Sequence, residues 1–135
     1  MLNAMNPCPP TRQPCPPAAC NCGHESLLGA SAAERRILHL TRFEERKLIE
    51  RLENLQSLED LQRLCARMDE LLGIRLRVAP GHHEVRSARG IVIEFEAQRG
   101  LCRKTREAIP AAIRRALVRR PEIVYRLLDA HDLLG

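Results

Sequence analysis

The chain has 135 residues, 44% of them hydrophobic, with two phenylalanines, one tyrosine, no tryptophan and a formal charge of +5. That length suits one domain plus a tail, with a core of Leu, Ile, Val and Ala rather than aromatic rings. No apolar run approaches the ~20 residues a spanning helix needs, and Met1–Met5 offers neither the basic start nor the apolar stretch of a secretory signal, so the expectation is a cytoplasmic protein with no membrane partner.

Four of the six cysteines and six of the nine prolines fall within the first 22 residues. Residues 1–30 hold too few large apolar side chains to offset the entropy of ordering them. Their paired prolines favour extended polyproline II. The expectation is a disordered Pro/Cys-rich tail over 1–30, or one that folds on binding, followed by a single α+β domain over 31–135. In a reducing compartment six cysteines are thiols or metal ligands rather than a disulfide framework. The run Cys8-x6-Cys15-x4-Cys20-x-Cys22-x-His24 gathers the thiolates and imidazole that zinc or an iron–sulfur cluster takes. Cys8, Cys15, Cys20, Cys22 and His24 are therefore the candidate metal ligands. The spacing is not that of paired knuckles, and a single residue between Cys20 and Cys22 strains chelation by both. The plain alternative is a tail whose thiols have no defined partner.

Ser31-Ala32-Ala33-Glu34 and Thr41-Arg42-Phe43-Glu44 each read as a capping box, where hydroxyl and carboxylate satisfy the free amides of a starting helix. The apolar stripe lapses around 44–47, so a break near 41 is expected between a short first helix and a second. Ser57 caps the next helix. Its Leu58, Leu61, Leu64, Cys65, Met68, Leu71 and Leu72 recur at three and four, and Gly73 stops it. Cys65 reads as a small core hydrophobe.

After Gly73 the period changes to two. Ile74, Leu76 and Val78 alternate with Arg75 and Arg77, and Ile91, Ile93 and Phe95 alternate with Val92, Glu94 and Glu96. Two antiparallel strands would set the arginines against the glutamates across the ladder. The connection, Ala79 to Gly90, reads as a mobile loop, and its His82, His83 and Glu84 as polar loop residues. A lone hairpin is marginal, so it should pack on a helix or pair with a second copy of the chain.

Helical spacing returns from Leu101 to Arg119 through Cys102, Ile109, Ile113 and Ala116. Pro110 predicts a kink or a fresh start there. Pro121 opens a last helix at the position proline tolerates. The fold class expected is thus α+β, mostly helical: N-terminal helices, a two-stranded antiparallel hairpin and two C-terminal helices.

The positive charge is concentrated in residues 99–120, which hold eight basic side chains against Glu107 alone. Arg103, Lys104, Arg114, Arg115 and Arg119 are expected to form a cationic ridge suited to phosphate contacts; the equal alternative is a solvated amphipathic helix whose arginines pair with acidic neighbours such as those on residues 44–70. With no aromatic side chain in that segment to stack on unpaired bases, duplex backbone is the expected nucleic-acid target. Cys102 lies near a helix start beside Arg99, Arg103 and Lys104, a setting that activates a thiol, yet no base with an orienting partner accompanies it. No phosphate-cradling loop or nucleophile elbow is present. The leading expectation is a small non-enzymatic regulatory or accessory protein that binds nucleic-acid backbone through the Arg-rich helix. The second is an adaptor or maturation factor that docks on an acidic protein partner and carries a metal- or redox-responsive Cys/His tail.

Overall fold

Hydroxyl caps start each N-terminal helix where the sequence supplies one. The computed structural model describes residues 11–15, 22–23, 27–81, 88–96 and 100–134, with the backbone alone over 131–134. Helix α1 spans Ala32–Arg35 and continues as a 3-10 turn over Arg36–His39. The Ser31 hydroxyl accepts from the Glu34 amide at 3.3 Å. Leu40 leaves helical geometry, and the Thr41 hydroxyl caps α2, Arg42–Glu53, by accepting from the Glu44 amide. The expected break at 41 is present. Helix α3, Leu58–Leu72, is capped by Ser57 and closed by Gly73 in the left-handed region, φ 73°. Arg36 reinforces that end: its Nη1 donates to the carbonyls of Asp69, which also accepts from the Gly73 amide, and Glu70, among the last acceptors of the helix.

Strands β1, Leu76–Pro80, and β2, Ile91–Phe95, pair antiparallel with Leu76 opposite Phe95 and Val78 opposite Ile93. The expected charge pairing holds for Arg77 and Glu94, which face each other and meet at 2.7 Å. Arg75 lies outside β1; its carbonyl accepts from the Glu96 amide, and its side chain turns to Asp69 instead. The hairpin is not left alone, because β1 packs on the last helix, α5, Pro121–Leu134. His82, His83 and Glu84 lie outside the described residues.

Helix α4, Arg103–Arg119, is one helix with Pro110 inside it, which excludes the fresh start, one of the two outcomes the sequence predicts. Proline removes one backbone donor and crowds the preceding turn. The stripe Ile109, Ala112, Ile113, Ala116 and Leu117, all buried, offsets that cost by packing α4 along α2 in the centre of the fold. The core does not stop at Ser31. Leu27 is 1% exposed and belongs to it, and the backbone amide of Arg12 donates to the Leu38 carbonyl. Parts of the stretch expected to be disordered therefore lie against the body, held by one large apolar side chain and by backbone bonds to it.

Candidate metal centre

Three cysteines from three separate stretches meet at one point. The sulfur of Cys15 lies 3.9 Å from that of Cys22 and 3.4 Å from that of Cys102, which is 87 residues further on. All three sulfurs lie within 4.8 Å of one another, so the trio could hold a metal ion. Cys22 is buried; Cys15 and Cys102 are half-buried.

Each cysteine is delivered by a local feature. Arg12 anchors the first segment through its amide bond to Leu38, and its Nη2 donates to the Cys22 sulfur at 3.7 Å. Cys22 precedes Gly23, whose φ of 77° turns the chain in a way glycine alone adopts freely. Gly100, φ 90°, donates its amide to the Cys22 carbonyl at 2.8 Å. A β-carbon at Gly100 would lie 2.6 Å from both Ile37 and Leu27, so a side chain has no room where these segments cross. Two residues on, Cys102 is the N-cap of α4 and its carbonyl accepts from the Arg106 amide. The helix N-terminus carries partial positive charge. The Arg12 guanidinium adds a full positive charge beside the Cys22 sulfur.

The structure brings together Cys15 and Cys22 of the sequence-derived ligands and adds Cys102, which sequence reasoning placed elsewhere, as an isolated activated thiol. Cys8, Cys20 and His24 lie outside the described residues. No spacing along the chain singles out Cys102; in the fold, Gly23 follows Cys22 and Gly100 lies two residues before Cys102, both with left-handed backbone. Cys65 stays apart from the cluster, packed against the core, and burial pushes its thiol up from the usual range.

The basic residues of α4 have divergent roles. Arg114 points inward: its Nη1 donates to the carbonyls of Ala88 at 2.8 Å and Ile91 at 3.2 Å, fastening the hairpin to α4. Arg115 pairs with Glu53 at the end of α2, its Nε donating at 3.1 Å. Arg103 pairs with Glu107 one turn on, both largely exposed. Lys104 and Arg119 are exposed and have no partner among the described residues. Of the five basic residues singled out, Arg114 and Arg115 are engaged within the fold: Arg115 by Glu53, one of the acids on 44–70 expected as alternative partners, and Arg114 by hairpin carbonyls that helical spacing does not reveal. Among the described residues no helix is long and apolar enough to cross a membrane.

Compared with known protein families, with curated proteins and with solved structures, the chain matches none.

Proposed function

We propose that this is a small non-enzymatic accessory protein of the cytoplasm, an adaptor or maturation factor, whose Cys-rich N-terminal segment is clasped to the helical body according to the state of a thiol cluster. One observation carries the reading: the Cys15 sulfur sits 3.4 Å from that of Cys102 across a separation of 87 residues. Cysteines with no shared role have no reason to converge from three stretches at one part-buried point. The cluster can be closed in two ways. A soft metal ion bridges the thiolates. Alternatively, a disulfide oxidant such as glutathione disulfide joins Cys15 and Cys102, forming one protein disulfide and two molecules of reduced glutathione. Either closure would lock the segment against the body and fix the face shown to a protein partner. Trypsin cleavage after Arg12 tests the clasp in the full chain. Cleavage should be slow with zinc or after oxidation, and fast with chelator in reductant. Equal rates in all three states would overturn the reading.

A second reading, binding of nucleic-acid backbone, is favoured by the exposed Lys104 and Arg119 and by Arg103, whose surface pair with Glu107 contributes little. The same cations would suit an acidic protein partner. Phosphate contacts weaken steeply with salt, so duplex DNA affinity should fall as salt rises and fall again in the K104E/R119E variant. Salt-independent retention, or no effect of the variant, would sink it.

A further inference from the structure

We infer that Cys15, Cys22 and Cys102 are thiolate ligands of a single tetrahedral metal ion of the zinc class, one per chain, so that the site spans tail and body rather than lying within the tail. This rests on the thiol-clasp reading and selects one of its two closures.

The spacing of the sulfurs argues for one ion. Tetrahedral zinc holds thiolates at about 2.3 Å, which sets neighbouring sulfurs roughly 3.8 Å apart. Here the sulfurs are 3.9 and 3.4 Å apart, and all pairs lie within 4.8 Å. An iron–sulfur cluster distributes its cysteines over more than one iron, so its thiolates spread further than ligands of one ion do. The trio fills three tetrahedral positions and leaves one for a further donor.

The surroundings argue for charge as well as geometry. Metal ligation needs thiolates rather than thiols. The Arg12 guanidinium donates to the Cys22 sulfur, and Cys102 is the N-cap residue of a 17-residue helix, so a full positive charge lies against one ligand and a helix start beside another. The backbone bond from Gly100 to Cys22 holds two of the three ligand segments in register. A purely apolar thiol pocket would supply none of this.

Cobalt titration of the reduced, metal-free full chain is the direct test. The expected endpoint is one cobalt per chain, with tetrahedral d–d bands and an intense thiolate-to-cobalt charge-transfer band. Zinc should displace it. C15S, C22S and C102S should each bind at least tenfold more weakly, the loss that disturbing even an outer-shell partner can cause, and C65S should bind like the parent. An octahedral cobalt spectrum of the parent chain, or no binding, would overturn the proposal without any variant having to fold. So would C102S binding as tightly as the parent, which would place the metal in the tail alone. If the parent binds no metal yet oxidation still slows cleavage after Arg12, the metal inference fails while the thiol clasp survives. If cleavage ignores both metal and oxidation, the clasp itself fails.

Discussion

The amide of Gly100 donates to the carbonyl of Cys22, tying the N-terminal segment to the chain that enters α4 at Cys102. Gly100 combines a left-handed φ with β-carbon positions 2.6 Å from Ile37 and Leu27. Gly100→Ala should therefore cost about 1–3 kcal/mol through backbone strain alone, with the steric contact adding to it. The urea midpoint should fall, and zinc affinity should fall with it, because Cys22 and Cys102 lose their shared register. An alanine variant with parental stability and parental metal affinity would show that the crossing point does not position the thiols.

Much of the body was legible because its signals are local. Ser31, Thr41 and Ser57 cap helices within three residues of themselves, and Gly73 closes α3 where it stands. The change from period four to period two located the hairpin. Cys102 was not legible as a ligand because its partners are set by how the tail crosses the helix start, which no spacing along the chain encodes. Arg114 misled for a similar reason. A helical wheel gives its angle on α4, but not the carbonyls of Ala88 and Ile91 that the hairpin brings to it. Pro110 allowed a fresh helix start as well as a kink because the pattern cannot weigh the buried stripe that carries α4 through it.

Asp60 gives the fold an acid-sensitive joint between α2 and α3. It is 5% exposed, Arg51 grips both carboxylate oxygens, and the Gln56 amide donates to one of them at 3.0 Å. The Arg51 hydrogen bond, foremost, holds the carboxyl below its ordinary range against the opposing effect of burial. A carboxyl lowered in the folded state stabilises fully above its unfolded value of about 3.9. That contribution disappears as pH falls through the folded value. Asp60→Asn should cost about 1–3 kcal/mol at pH 7, and the variant should lose less stability than the parent between pH 6 and pH 3. Urea titrations at several pH values read both effects. Parallel pH profiles would show that Asp60 is not the titrating joint.

Cys65 provides an internal contrast for thiol chemistry. Burial disfavours its thiolate, the form that reacts with alkylating agents. In the metal-free reduced chain at pH 8, iodoacetamide should modify Cys65 more slowly than Cys15 or Cys102. In the zinc-loaded chain those two should slow while Cys65 keeps its rate. Peptide mass mapping over a time course distinguishes the three. Cys65 reacting first would contradict its placement against the core.

Arg114 is best tested as a structural residue. Its two bonds join α4 to the carbonyls at either side of the turn into β2. Truncation would leave half-buried carbonyls without their charged donor, at a cost of about 1–3 kcal/mol. Arg114→Ala should lower the melting temperature by several degrees, given about 2–8 °C per kcal/mol for domains near this size. Hydrogen exchange should speed up at β2 amides before it does so in α3. Lys104→Glu and Arg119→Glu alter only exposed side chains and should leave both readouts near parental values. That difference decides how any loss of nucleic-acid affinity is read: a loss in the Arg114 variant reports a loosened hairpin, whereas a loss in K104E/R119E with unchanged melting reports a surface that contacts phosphate.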